Sequence, residues 1–163
     1  MNVLIVGAGM YVCGGKTEGY GTVLPTIIQM QKEGRINEIH IAATKKSSVD
    51  ICKLKRDKLD SLFDFNSNIS FYPEKDKLDK VAFLKAAKMM EKPACAIIVV
   101  PDHIHFSVTD QIMNLGVHCM VVKPFTQTID EALKLISKAE KSNVWNGVEF
   151  HKRFDRHNII LNI

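Results

Sequence analysis

No two of the four cysteines, Cys13, Cys52, Cys95 and Cys119, stand as C-x-x-C, and none follows the spacing of a zinc ligand set. That excludes a zinc ribbon and a disulfide framework. Reduced thiols in turn predict a cytoplasmic protein. Cys95 and Cys119 fall in apolar, strand-like runs, where a free thiol behaves as a small buried hydrophobe. No apolar run approaches the ~20 residues that a membrane-spanning helix needs. The N-terminal apolar run lacks a basic flank and enters glycines directly, so it reads as a strand and not as a signal peptide. Like charges do not cluster either: 22 Lys and Arg against 18 Asp and Glu leave a net charge of only +4, with the lysines scattered. A basic arm for nucleic acid is thereby excluded as a reading. Internal repeats and low-complexity segments are missing too.

What the sequence does hold is a regular alternation. Its 163 residues, 46% hydrophobic and 25% charged, suffice for one domain with a full core and fall short of two ordinary ones. Short runs rich in Val and Ile alternate with longer amphipathic ones. The strand readings are NVLIV (residues 2–6), EIHIAAT (38–44), NISFY (68–72), ACAIIVV (94–100), HCMVV (118–122) and VWNGVEF (144–150). Between them, helices are expected over 22–34, 48–63, 76–91, 106–115 and 128–142. In the first, Thr22 is the expected N-cap and Gly34 the stop; in the last, Ile129, Leu133 and Ile136 share a face. Near-continuous apolar strands separated by helices are buried on both faces. The fold class is therefore α/β, a doubly wound parallel sheet of six strands with helices on both faces.

In such a sheet ligands bind where the strands end at their carboxyl side, so the residues that follow each strand are the ones to read. After the first strand comes G-A-G. Gly7 suits a tight turn and Gly9 leaves room for a pyrophosphate, with Met10 next in line; the other reading is that these glycines only turn the chain. Val12 stands where a G-x-G-x-x-G fingerprint has its third glycine. The helix served by that glycine is expected to start near Gly21 and Thr22, which makes residues 10–20 an elongated phosphate loop. After the second strand, Thr44, Lys45, Lys46, Ser47 and Ser48 supply hydroxyls and ammonium groups where an NAD site usually has a carboxylate. They favour the 2′-phosphate of NADP over NAD, unless the serines merely cap the next helix. After the fourth strand, Pro101, Asp102, His103 and His105 form a polar knot. It lacks a fourth metal ligand, so no metal is expected, and Asp102 or His105 could instead cap the following helix. After the fifth strand stand Lys123 and Pro124, the lysine either facing a bound nicotinamide and substrate or simply solvated.

Taken together, V-P-D-H-I-H at residues 100–105, V-K-P at 122–124 and GVEFHKRFD at 147–155 resemble the N-terminal domain of the glucose–fructose oxidoreductase, inositol dehydrogenase and MocA (Gfo/Idh/MocA) family. That family carries T-P-N-H-x-H after strand four, E-K-P after strand five, and a sixth strand ending in N-R-R-F. The resemblance implies an NAD(P)-dependent oxidoreductase that moves a hydride to or from a sugar, cyclitol or related polyol. By the same analogy Lys123 is catalytic, binding the substrate hydroxyl and tuning its proton transfer. Pro101, Asp102 and His105 would line the ribose–nicotinamide side of the cofactor, and Gly7 and Gly9 its pyrophosphate.

Three departures accompany the resemblance. Val122 replaces the family's glutamate before the lysine. Asp102 replaces an asparagine, exchanging a group that donates and accepts for an acceptor. The family's second domain is not in the sequence. Residues 1–150 are thus expected to form the dinucleotide-binding domain and 151–163 the start of a truncated substrate domain, inactive alone. Exposed apolar surface at the C-terminal end predicts a homo-oligomer. The alternative is a non-catalytic nucleotide-sensing or partner-binding module, which the Val122 and Asp102 substitutions favour.

Overall fold

A computed structural model describes residues 1–75 and 77–161. Six strands, β1 (Asn2–Val6), β2 (Ile39–Ala42), β3 (Ile69–Tyr72), β4 (Ala94–Ile98), β5 (His118–Val122) and β6 (Asn146–Glu149), form one sheet in the order β3-β2-β1-β4-β5-β6. Every neighbouring pair is parallel. All five residues of β1 are buried, as a central strand requires when both faces are covered. Because alternate residues point to opposite faces, the core divides in two. Val3 and Ile5 pack with Ile39, Ile41 and Ile97 under α1 (Met10–Cys13), α2 (Val23–Lys32) and α3 (Lys46–Phe63). Leu4 and Val6 pack with Ala96, Ile98, Cys119 and Val121 against α4 (Ala82–Met89), α5 (His105–Met113) and α6 (Ile129–Ser142). After β6 the chain makes a 3₁₀ turn, His151–Phe154, and a short helix α7, Arg156–Leu161.

Two helix readings are corrected. The helix after β1 begins at once: Gly9 is the N-cap of α1, whose Val12 is fully buried. It lasts a single turn, because Gly14 at φ 79° terminates it in a left-handed conformation. The glycine run is therefore an excursion between α1 and α2. It folds back so closely that a Cβ on Gly14 would lie 2.0 Å from the Gly19 carbonyl oxygen, and one on Gly21 2.6 Å from that of Val12. Lys55 of α3 donates to the carbonyls of Thr17 and Gly19, and its ammonium sits 5.3 Å from the Tyr20 ring centroid. Thr22 does occupy the N-cap of α2, but its side chain makes no capping bond.

Second, α3 starts at Lys46 and not at Ser48, since the turn after β2 is fixed from elsewhere. Lys45 pairs with Leu78 as an antiparallel bridge, Lys46 N–H donates to Lys77 O, and Asp79 N–H donates to Thr44 O at 2.9 Å. The segment engaged in this pairing is withheld from α4, which opens at Ala82; Asp76, its expected first residue, lies outside the described residues. The helix read over 128–142 is present as α6 with Thr128 as its N-cap, and its Ile129–Leu133–Ile136 face points away from the core. Those residues are 78%, 58% and 47% exposed, while Leu135 is the helix's buried anchor.

Just past the ends of β1 and β4 the two chains come into close contact. Gly7 has φ 124°, and a Cβ there would stand 2.1 Å from the Val99 carbonyl oxygen, a clash with backbone that no rotamer relieves. Gly7→Ala is expected to lower stability by about 3 kcal/mol or more in urea denaturation; a loss below about 1 kcal/mol would contradict this packing. A second expectation concerns acid. Asp79 accepts from the Lys85 ammonium at 2.5 Å and from the Val81 amide at 2.9 Å, and these bonds hold its carboxyl below the ordinary 3.8. Its stabilising contribution is then complete above that value and is lost as pH falls through the lowered one. Asp79→Asn should reduce stability near neutrality and make the acid limb of the stability–pH curve shallower; superimposable acid limbs would count against it.

Candidate functional site

At the carboxyl ends of β1, β2 and β4 the chains leave the sheet in opposite lateral directions, and a cavity of about 310 Å³ opens there. Gly7, Gly9, Thr44, Lys45, Ser48 and Pro101, six of the residues singled out from sequence, line it together. Gly7 is placed by two backbone bonds across the switch point: its amide donates to Ala42 O at 2.7 Å, and Val99 N–H donates to Val6 O at 2.8 Å. Gly9 is different in kind. Its φ of −87° is open to any residue, and a Cβ built on it meets nothing within 4 Å. The protein's own packing therefore gives no reason for glycine at position 9. A side chain there would enter the cavity, in the place where a bound phosphate group would need to approach the main chain. That is the fit expected of a dinucleotide pyrophosphate.

The wall after β2 is chemically mixed. Ser48, in the first turn of α3, lines the cavity, whereas Ser47 is exposed outside it. The reason is helical phase: with the helix opening at Lys46, successive side chains turn by about 100°, and position 48 is the one that comes round to the cavity. Lys46 is also outside, its ammonium 2.7 Å from Asp50 one turn on. Lys80 stands in its stead, carried in by the Thr44–Asp79 pairing. Asp79 lines the cavity as well, but both of its oxygens are engaged, by Lys85 and by the Val81 amide. The available groups on this wall are thus two ammonium groups and two hydroxyls. Apolar surface comes from Ala82, Phe83, Val99, Ile104 and Val108.

The remaining residues predicted for the site lie elsewhere. Met10 is exposed and does not line the cavity, because it begins α1 on the far side of Gly9. Asp102 is exposed in a 3₁₀ turn, Asp102–Ile104, and makes no capping bond. Pro124 is exposed and outside the lining. His105 is fully buried and cannot touch a ligand in this cavity. Its ring spans two backbone carbonyls instead, with Nδ1 2.6 Å from Pro124 O and Nε2 2.9 Å from Val100 O. The imidazole is therefore a strut that ties the turn after β5 to the end of β4. Lys123, at the start of that turn, is exposed in a separate cavity of about 350 Å³ shared with Phe150, Lys152 and Arg153.

Two features had no signal in local sequence. Cys13 of α1 and Cys52 of α3 meet beneath the glycine turn, both fully buried. The neighbouring Cys13 thiol and burial push the Cys52 pKa far up; the Cys13 thiol donates to Ala8 O at 3.5 Å. Tyr11, next to Met10, donates from its hydroxyl to Glu149 at the end of β6 at 3.1 Å. Burial and the Glu149 carboxylate raise the pKa of that phenol. Among the described residues no three His, Cys, Asp or Glu side chains gather as a metal site, and no helix is long and apolar enough to cross a membrane.

Known proteins share this fold. A family model described as an oxidoreductase family with an NAD-binding Rossmann fold matches residues 27–150. UDP-N-acetylglucosamine 3-dehydrogenase of Acidithiobacillus ferrooxidans is 33% identical over 72 residues, which is 44% of this chain and 23% of that protein. An uncharacterized oxidoreductase of Schizosaccharomyces pombe is 37% identical over 59 residues, 36% of this chain and 16% of that one. Among solved structures, that of the Acidithiobacillus enzyme superposes with a TM-score of 0.56 at 18% identity, covering 99% of this chain and 42% of its own. GenD2 from gentamicin A biosynthesis, solved in complex with NAD, gives a TM-score of 0.58 at 15% identity, covering 91% of this chain and 34% of its own. The chain thus spans less than half the length of these structures. A glycine turn at the switch point, the polar wall after β2 and a match over most of the sequence converge: the chain belongs to the Gfo/Idh/MocA oxidoreductase family and carries its NAD-binding Rossmann fold.

Proposed function

We propose that this chain is the cofactor-binding part of an NAD(P)-dependent oxidoreductase acting on a sugar, cyclitol or related polyol, and that it prefers NADP. The observation that carries the reading is the cavity at the β1–β4 switch point, where Gly9 leaves open space and Thr44, Lys45, Ser48 and Lys80 face inward without a free carboxylate among them. A bound nicotinamide dinucleotide would supply the hydride acceptor or donor. The chain's own contribution is to hold it: the main chain at Gly7 to Gly9 would lie along the pyrophosphate, and the Lys45 and Lys80 ammonium groups would take the 2′-phosphate through charge-assisted bonds. Lys123 is the residue proposed to bind a substrate hydroxyl from its Nζ and to move that hydroxyl's proton, in the cavity that Phe150, Lys152 and Arg153 share with it. Substrate-side walls would come from a second domain begun at residues 151–163, so the chain alone would turn over little. The sugar-type substrate is supported by the named activity of the Acidithiobacillus relative. A cytoplasmic setting is supported by four free cysteines. Self-association through exposed apolar surface completes the reading.

A second reading keeps the fold and the nucleotide without the chemistry. It is favoured by Val122 and Asp102, which stand where the resemblance implies a glutamate and an asparagine.

Titration of the chain with NADPH and NADH, followed by nicotinamide fluorescence, tests the reading. NADPH is expected to bind at least ~5-fold more tightly, and Lys45→Ala to erase most of that difference at a cost of about 1–2 kcal/mol to NADPH alone. No binding of either nucleotide at millimolar concentration would overturn it. Gly9→Ala gives an independent check. The open space around Gly9 predicts thermal stability close to wild type, yet NADPH affinity should fall ~10-fold or more as the methyl group takes up cofactor space. Unchanged affinity would remove Gly9 from the site.

A further inference from the structure

We propose that Tyr11 is the surface on which the nicotinamide ring of a bound dinucleotide rests, and that Glu149 fixes that surface in place. Tyr11 is the second residue of α1, two positions after Gly9, and Glu149 ends β6. In the order β1-β4-β5-β6 the two strand ends lie three spacings apart, about 14 Å. Even so, the Tyr11 hydroxyl donates to Glu149 Oε2 at 3.1 Å. The two side chains together therefore span the carboxyl ends of β4 and β5. The Tyr11 ring packs against the core cluster that contains Ile97 of β4, as does Met120 of β5, and it stays only half-buried. Its backbone is held as well, since Thr22 N–H donates to Tyr11 O at 2.8 Å. Burial and the Glu149 carboxylate raise the pKa of the phenol, so it remains the donor of this bond.

On the proposed cofactor reading, on which this role rests, a dinucleotide seated at Gly9 must cross the ends of β4 and β5 to bring its reactive ring to Lys123. The Tyr11–Glu149 pair runs along that crossing. Its far end stands beside the Lys123 cavity: Glu149 is the partner of Val122 in the β5–β6 register, and Phe150, which follows it, lines that cavity. Val122, standing where the resemblance has a glutamate, is thus faced by one from the adjacent strand. An aromatic ring with one side packed, its hydroxyl tethered and the remainder open is preorganised for offset stacking on a flat heteroaromatic ring.

Calorimetric titration of the full chain with NADPH and with adenosine 2′,5′-bisphosphate, which lacks the nicotinamide, tests this role. Tyr11→Ala is expected to weaken NADPH ~10-fold and to remove the change in nicotinamide fluorescence on binding, while affinity for the bisphosphate stays within ~2-fold. Tyr11→Phe and Glu149→Ala each delete the tether and keep an aromatic ring, so each should cost NADPH ~3-fold. The double variant Y11F/E149A should bind no more weakly than either single one, because both remove the same bond. Glu149→Gln, which still accepts from the phenol, should bind like wild type. Equal losses for the two ligands, an NADPH affinity indifferent to Tyr11→Ala, or additive losses in the double variant would overturn the role of Tyr11. Circular dichroism verifies that each variant is folded; should Tyr11→Ala not fold, Tyr11→Phe and Glu149→Ala decide by the same comparison of ligands. Failure of the wild type to bind either ligand would remove the cofactor reading and this role with it. Binding of both that Tyr11→Ala leaves unchanged would remove the role of Tyr11 alone.

Discussion

Everything at the site depends on how near the main chain of Gly7 comes to the carbonyl of Val99. β1 and β4 are adjacent and parallel, and beyond their ends one chain turns toward β2 and the other toward β5. The crevice between the two departing chains is as narrow as the contact allows, and only a residue without a side chain, in a conformation costly for any other, permits it. The bonds from Gly7 to Ala42 and from Val99 to Val6 lock both turns to the strands beside them. The polar wall after β2 and the turn at Pro101 therefore face each other across a fixed distance. A cofactor would meet a preformed groove, with most of the ordering cost already met by folding.

The turn carrying Lys123 is held by a different device. A buried imidazole bonded to carbonyls of two successive strand exits makes the positions of Val100 and Pro124 mutually dependent. Polar groups buried in this way stay where their partners are, because leaving a donor unsatisfied costs more than the bond itself contributes. His105 thus serves the site from beneath, by placing the backbone from which Lys123 projects.

Sequence patterns read most reliably where burial is continuous. The bounds of β1 and β5 follow from unbroken apolar runs, and the parallel, doubly wound sheet of six strands follows from the alternation of strands with helices. The four residues of α1 are too few to show a helical period, so a glycine-rich stretch concealed a helix that packing reveals through the complete burial of Val12. Gly7, Gly9, Thr44, Lys45 and Pro101 were legible as strand-end residues. Ser48 was legible with them, but not that it and not Ser47 would enter the cavity, since that choice hangs on the helix starting two residues earlier than its capping chemistry suggests. Asp79 and Lys80 enter through a backbone pairing with Thr44 across 35 positions, and no local pattern announces such a contact. The misplacement of His105 came from reading a polar residue after a strand as facing the ligand. The apolar face of α6 was correctly phased, yet the helix docks through Leu135 and Lys138 and turns that face away from the core.

The length of α3 gives it a part in two places at once. Its first turn brings Ser48 to the cavity wall, and two turns further along Lys55 grips the carbonyls of the excursion that follows α1. Cys52, between them, touches Cys13 directly under the glycine turn. The helix is thus a single beam that joins the polar wall of the cavity to the glycine excursion, and any tilt that moved one would drag the other with it. A ligand that seats against Ser48 bears on the excursion as well.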